Sequence, residues 1–401
     1  MIMSPATPSF QNSLSVQEQL MEKPKSSHRF TVGVLKENKE EETRVALTPQ
    51  GVAMLVDGGH KVLLERGVGE EANFSDLDYT EHGGILVERD EALQQDIILK
   101  ITPPDVEDIE KMKKRALVYS LMRYHDMCRE RLAAMKAKNV TAVAMDWVEG
   151  VQGECPIANS MKEIEGNAAI VFAAKLSTYP KGKGAMLGSV AGVSPSEVVI
   201  LGAGMAGQSA AKCAIGMGAT VKFFDSSLRS LQKMRTIFGS HIFTSILHPN
   251  SLAKSLKSAE VVIGALGEDE RALPFVISED LVRTMKKGAI IIDLNIDKGG
   301  SFETSRETTI KKPTYKERGI HYCCLSSLSA MYPRTASIAL SNILAPLLLN
   351  MDNYENRGQF ICSEEGFQKG IYMYNGVLSN FDMGRRFNLS AKDLQLLLTV
   401  F

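Results

Sequence analysis

Cysteine is sparse in this 401-residue chain: Cys128, Cys155, Cys213, Cys323, Cys324 and Cys362 are scattered with no CxxC spacing. In a chain of this size that pattern reads as reduced thiols and supports neither a disulfide framework nor a metal site. The neighbours Cys323 and Cys324 would face opposite ways on a strand. No run of 18 apolar residues occurs, so nothing in the sequence reads as a membrane-spanning helix. Neither sign of charge dominates. The 46 basic and 47 acidic residues leave a formal net charge of −1, and no global field to gather nucleic acid or an anionic membrane. The expected partner is a small molecule. The first 28 residues are polar and lack the apolar core of a signal peptide, so they read as a loose tail on a cytoplasmic protein.

With 44% apolar and 23% charged residues the composition is that of an ordinary soluble globular protein. The length exceeds what one hydrophobic core usually serves, so two domains of about 150–200 residues are expected. The most specific signal is the run Val-Val-Ile-Leu-Gly-Ala-Gly-Met-Ala-Gly at 198–207. An apolar strand breaks into Gly202, Gly204 and Gly207. A helical pattern then runs over 208–217, and a second β-type run ends in Asp225. This is the order strand, tight turn, helix, strand, acid. The first glycine permits the turn, the second lets a pyrophosphate approach the backbone, and the third lets the helix pack on the strand with its N-terminal N–H groups toward the phosphates. Met205 and Ala206 belong to the same turn. A carboxylate at Asp225 accepts from a ribose diol and repels a 2′-phosphate, which favours NAD over NADP.

Short β-type runs recur at 30–35, 61–65, 96–101, 116–121 and 140–145, with helical patterns at 49–57 and 129–138 between them. A second set follows at 197–201, 220–224, 261–265 and 289–294. The alternation predicts an α/β protein of two Rossmann-like, doubly wound parallel sheets with a cleft between them. Long helical patterns at 161–176 and 335–349 read as connectors, and 179–195 as a Gly/Lys/Ser-rich loop. The polar, helical end of the chain is too small for a domain and is expected to fold back on the first block. The division is therefore a tail over 1–28, a substrate domain over 29–156 plus 336–401, and an NAD-binding domain over 157–335.

Several motifs in this order resemble the alanine dehydrogenase and transhydrogenase α-subunit family from about residue 30 to the end. They are Val32-Gly33-Val34-Leu35-Lys36-Glu37 with Thr43-Arg44-Val45-Ala46-Leu47-Thr48-Pro49, then Ile98-Leu99-Lys100-Ile101, the Gly-rich turn, Asp293-Leu294-Asn295-Ile296-Asp297-Lys298-Gly299-Gly300, and Tyr332-Pro333-Arg334-Thr335. The 370–397 stretch is similar to alanine dehydrogenases rather than to the transhydrogenase subunit. The resemblance implies a cytoplasmic homo-oligomer, a hexamer in the family, that uses NAD. It would interconvert L-alanine, water and NAD with pyruvate, ammonia and NADH, or act on another small amino acid and 2-oxo acid. Arg44 matches the arginine that holds the substrate carboxylate, a job suited to a planar bidentate donor. An ion pair with Glu40, Glu41 or Glu42 is the alternative reading. Asp297 matches the aspartate near the nicotinamide, with a turn-capping role before Gly299-Gly300 as its alternative.

The match has gaps. Alanine dehydrogenases carry a catalytic lysine two residues after the position of Lys100, where this chain has Thr102. Strand alternation argues against Lys100 acting in its place. The family's catalytic histidine falls at Arg123 or Tyr124, and the nearest histidine, suited by its pKa to acid/base work, is His125. Met161 is kept, but the small hydroxyl after it is Lys162, which would meet the pyrophosphate or solvent. The Asn-Met pair on the nicotinamide side is replaced by Ser327-Leu328. The residues carried forward are thus His125 and Asp297 for catalysis, Arg44 and Thr102 for substrate, and Gly202, Gly204, Met205, Ala206, Gly207, Asp225, Met161, Lys162, Ser327 and Leu328 for the cofactor. A second function class stays open, an NAD(H)-binding sensor or interaction protein that lost the lysine and histidine. Transhydrogenase-like hydride exchange would need an NADP domain and membrane subunits absent from these residues.

Overall fold

The computed structural model describes residues 29–38, 41–239, 242–266 and 277–400; the expected tail over 1–28 lies outside them. The strands, in chain order, are β1 (Thr31–Val34), β2 (Lys61–Glu65), β3 (Ile85–Val87), β4 (Ile97–Leu99), β5 (Leu117–Ser120), β6 (Thr141–Ala144), β7 (Glu197–Leu201), β8 (Thr220–Asp225), β9 (Phe243–Ile246), β10 (Val261–Gly264), β11 (Ile290–Asp293), β12 (Tyr315–Glu317), β13 (Ile320–Cys323), β14 (Ile371–Tyr374) and β15 (Val377–Leu378). They form an eight-stranded sheet, β15-β14-β6-β5-β4-β1-β2-β3, and a seven-stranded sheet, β12-β13-β11-β10-β7-β8-β9. Pairing is parallel except at one edge of each, where β14 runs antiparallel to β6 and β15, and β12 antiparallel to β13. The α/β, doubly wound class expected from the alternation is what the chain adopts.

The central strands are buried on both faces, as parallel strands covered by helices must be. In β10 and β11 every residue is buried, Val-Val-Ile-Gly against Ile-Ile-Ile-Asp. Each sheet reverses its strand order once. The first turns between β1 and β4 and the second between β7 and β10, and ligands bind beyond the carboxyl ends of strands at such points.

Two long helices link the sheets. Pro156–Ser177 starts with proline at its first turn, where the missing N–H costs nothing, and runs 22 residues without a capping side chain. Pro333–Leu349 is also proline-started and carries a buried face of Ala336, Leu340, Leu344 and Leu348 at helical spacing. It anchors the segment after β1: Val45 N–H donates to Ser337 Oγ at 2.9 Å and Thr48 N–H to Ser341 Oγ at 3.1 Å.

Two features differ from the sequence reading. The end of the chain is not only helical, because Ile371–Tyr374 and Val377–Leu378 add two strands to the first sheet beyond β6. A four-residue strand is too short for its alternation to stand out from a buried helix segment. Strand β4 also stops at Leu99, so the strand alternation invoked against Lys100 acting in place of residue 102 does not extend over residues 100–102.

Candidate functional site

The nucleotide half begins at the turn after β7. Gly202 has φ +107°, and a Cβ there would lie 2.0 Å from the Ala265 carbonyl oxygen, so only glycine fits. A Cβ on Gly207 would lie 2.0 Å from the Gly202 carbonyl oxygen. The helix Met205–Gly216 follows with Gly204, which has no capping side chain, as its N-cap. Asp225, at the end of β8, accepts from Ala203 N–H and Ser227 N–H, both at 2.7 Å. The carboxylate therefore sits against the Gly-rich turn, as a ribose-binding acid must. An open turn that excludes side chains, a helix N-terminus with glycine at its cap and an adjacent acid together fit an NAD diphosphate and its adenosine ribose.

Beyond this turn lies a cleft of about 500 Å³, within the usual range for small-ligand sites. From the nucleotide side Gly204, Ala206, Asn295, Asp297, Ser326 and Ser327 line it; Arg44 and Arg123 come from the other side, and Met161, Lys162 and Glu165 from the linking helix Pro156–Ser177. Arg44 is 3% exposed. Its Nε and Nη2 donate to the two oxygens of Glu42 at 2.7 and 2.6 Å, and its Nη1 to Ser329 Oγ at 3.0 Å and Met161 Sδ at 3.4 Å. The ion-pair reading and the cleft reading of Arg44 thus hold together, because Glu42 fixes the guanidinium that faces the cavity. Burial opposes the charge on Glu42, yet Arg44, and then Arg123, hold its carboxyl below the usual glutamate range.

Arg123 stands where the family resemblance places a histidine. It reaches Glu42 at 3.3 Å, Ser326 Oγ at 3.1 Å and Asp126 at 3.4 Å. The loop carrying it is held by Met122 N–H donating to Asp146 Oδ1 at 2.7 Å. His125 lies outside the cleft lining, its side chain 41% exposed and 3.4 Å from Asp126. Thr102 is buried away from the cleft. Its hydroxyl donates to Glu37 Oε2 at 2.5 Å, Lys100 Nζ donates to the same oxygen at 2.8 Å, and Lys100 also contacts the Thr102 hydroxyl. Leu328 is buried behind the cleft wall, 1% exposed. The structure therefore gathers Arg44, Met161, Lys162, Gly204, Ala206, Asp297 and Ser327 on one cavity, keeps Gly202, Met205, Gly207 and Asp225 in the adjoining Gly-rich turn and at its side, and leaves His125, Thr102 and Leu328 off the cavity.

Glu165 was not singled out from sequence, although it stands one helical turn after Met161 and so shares its face. Its Oε1 accepts from Ser329 Oγ at 3.0 Å and Ser327 Oγ at 3.4 Å. Burial in the cleft lifts its carboxyl above the usual glutamate range; Arg44, Ser329 and Lys162 pull it back, while Asp297 adds to the rise. Burial likewise raises Asp297, against the pull of Lys298, His125 and Arg123.

Two family models match the chain. Residues 33–165 match the family described as alanine dehydrogenase/PNT, N-terminal domain, and residues 168–380 match alanine dehydrogenase/PNT, C-terminal domain. An alanine dehydrogenase of Staphylococcus saprophyticus is 33% identical over 368 residues, covering 91% of this chain and 98% of the relative. One from Mycolicibacterium smegmatis is 33% identical over 371 residues, covering 91% and 97%. Among solved structures, an L-alanine dehydrogenase superposes with a TM-score of 0.83 at 30% identity, over 89% of this chain and 99% of that one. A transhydrogenase from Sinorhizobium meliloti shares the fold with a TM-score of 0.74 at 21% identity, over 87% and 98%.

Proposed function

The chain belongs to the alanine dehydrogenase/PNT family and is an NAD-dependent oxidoreductase of that type, and we propose that it interconverts a small L-amino acid and water with the 2-oxo acid and ammonia. Alanine is the first candidate. The observation that carries this reading is the convergence of Arg44 and Asp297 on the cavity that also receives Gly204 and Ala206. A carboxylate anchored on Arg44 brings its neighbouring carbon between the two halves. When bound, the cofactor takes or gives the hydride at that carbon.

The chain's own residues do the rest. Glu42 holds the Arg44 fork rigid, so little side-chain freedom is lost when substrate binds. Arg123, always charged, adds a second cation that stabilises the carboxylate or a developing oxyanion and cannot itself move a proton. Asp225 selects NAD over NADP, Gly202 and Gly207 shape the diphosphate site, and Met205, Lys162 and Ser327 flank the cofactor. We assign residues 29–156 plus 336–401 to the substrate unit and 157–335 to the nucleotide unit. The proposal extends to a cytoplasmic homo-oligomer, which rests on the family resemblance.

The test is a steady-state assay of NADH oxidation with pyruvate and ammonia, beside glyoxylate and bulkier 2-oxo acids, with light scattering for the assembly. Turnover of one small oxo acid, tight NADH binding and weak NADPH binding by calorimetry are expected. The displacement of Thr102 and His125 from the cleft favours a second reading, an NAD(H)-binding protein without turnover. That reading replaces the first if NADH binds and no oxo acid is reduced.

A further inference from the structure

We propose that Glu165 is the proton-transfer group of the cleft, serving the oxygen that leaves or attacks the central carbon of the substrate. The inference rests on the amino-acid oxidoreductase reading above. It starts from what surrounds the reacting space. Thr102 is closed off by Glu37 and Lys100, Arg123 is a guanidinium, which does not shuttle protons, and His125 is not among the lining residues. The lining carboxyls are Asp146, Glu154, Glu165 and Asp297. Asp146 is engaged by the Met122 amide and Glu154 by the Gln152 amide at 3.0 Å in an exposed turn. Asp297 stands on the nucleotide side of the cleft, in the turn after β11 next to Lys298.

Glu165 is placed differently. A chain of hydrogen bonds runs from Arg44 Nη1 to Ser329 Oγ and from Ser329 Oγ to Glu165 Oε1, each 3.0 Å, and fixes it relative to the carboxylate anchor. It is not needed as the counter-ion of Arg44, because the two oxygens of Glu42 already accept from Nε and Nη2 of the guanidinium. The charged groups that bear on it are Arg44 from the segment after β1, Lys162 from its own helix and Asp297 from the turn after β11. Their balance with burial leaves the carboxyl above its ordinary range, which brings an acid toward working pH.

In the amination direction ammonia adds to the oxo carbon and gives a carbinolamine. Glu165, as the acid, protonates its hydroxyl. The C–O bond then breaks with its electron pair on the departing water, the nitrogen lone pair forms the C=N bond, and Glu165 is left as carboxylate. In deamination the carboxylate takes a proton from the attacking water while its oxygen bonds the iminium carbon and the C=N pair returns to nitrogen.

Glu165→Gln keeps the shape and the serine hydrogen bonds but carries no transferable proton. Turnover should fall on the order of 10²–10⁴-fold, the usual range for a positioned proton-transfer group, with NADH binding by calorimetry within about twofold of wild type. Wild-type amination kcat should decline as pH rises through the pKa of Glu165, and that limb should be missing from the residual activity of the variant. Glu165→Asp, which shortens the acid by one methylene, should retain the limb at reduced rate.

Thermal unfolding supplies a readout independent of turnover. A carboxyl raised in the folded state binds more protons folded than unfolded above the usual glutamate value, so its contribution is full below that value and is lost as pH rises through the folded pKa. The Tm of Glu165→Gln should therefore equal that of wild type at acid pH and exceed it increasingly toward alkaline pH. A Tm difference that does not change with pH overturns the inference even if wild type reduces no oxo acid. So does an active Glu165→Gln with an unchanged pH profile. Absence of wild-type turnover counts against the amino-acid oxidoreductase reading instead.

Discussion

Each sheet has one point where its strand order reverses, and the two points have opposite fates. Beyond β7 and β10 the crevice is open, edged by Gly204, Ala206 and Ala265. Beyond β1 and β4 it is filled. Glu37 reaches across it, accepting from Ile101 N–H at 2.6 Å and from Lys100 and Thr102 on its other oxygen, with all three side chains nearly closed to solvent. The first site is made of backbone and missing side chains; the second is a buried ion pair. A site defined by backbone approach has few alternatives to glycine, whereas a site defined by side-chain charge can move its chemistry to a neighbouring wall, here to Arg44, Arg123 and Glu165.

The comparison is broken most severely at Arg44, which stands beside the filled crevice. Arg44→Ala removes the carboxylate anchor and leaves Glu42, whose side chain is 0% exposed, without its main partner. Loss of one member of a buried pair costs about 3–5 kcal/mol. A marked fall in Tm and loss of measurable kcat/KM for the oxo acid are expected, and a variant with wild-type Tm would show that Glu42 is not held charged by Arg44. Thr102→Lys sharpens the contrast. Restoring the family pattern would raise the rate if residue 102 faced substrate. The enclosure of Thr102 by Lys100 and Glu37 instead sets a second ammonium beside the first on one carboxylate. The expected outcome is destabilisation of about 2–4 kcal/mol with no gain in turnover, measured by urea unfolding and steady-state kinetics; a faster enzyme would mean the plug opens.

The open crevice should fail in another way. In Gly202→Ala the added Cβ meets a carbonyl oxygen at 2.0 Å in a backbone region L-residues avoid. Strain of about 1–3 kcal/mol, if it falls on the bound geometry, weakens NADH roughly 5- to 150-fold while the first sheet stays folded. Calorimetry beside far-UV circular dichroism separates the two. Unaltered NADH affinity would detach the turn from the cofactor.

The same asymmetry governs what the sequence made legible. The apolar runs of β7, β8, β10 and β11 and the helix over 49–57 stand where periodicity puts them, since parallel strands and capped helices leave local signatures. Gly202, Gly204, Gly207 and Asp225 come together as their spacing implies. Glu165 did not stand out because a glutamate on a helix is ordinary. Its meaning comes from Ser329, 164 residues away, and Arg44, 121 away, positions that only the packing of the Pro156–Ser177 helix brings together. Thr102 seemed a substrate contact because it stands at the position of the family's catalytic lysine. The early stop of β4 and the reach of Glu37 decide otherwise, and both are tertiary facts.

His125 offers the smallest expected effect and the cleanest discrimination. Its pKa class and its place after β5 suit an acid/base residue, and the loss for such a group would be on the order of 10²–10⁴-fold. Its ring, however, is 41% exposed, lies against Asp126 and is absent from the cleft lining, while Arg123 occupies the wall. What reaches the site is only its field, which comes after that of Lys298 and ahead of that of Arg123 in lowering the pKa of Asp297. His125→Ala should therefore change kcat by about twofold or less, since interactions between exposed charges are small and screened by salt. It should shift the pH profile slightly at low ionic strength and not at all at high. A loss of a hundredfold or more would bring the 122–126 loop into the cleft during turnover, return the proton to His125 and leave Glu165 as a fixed charge.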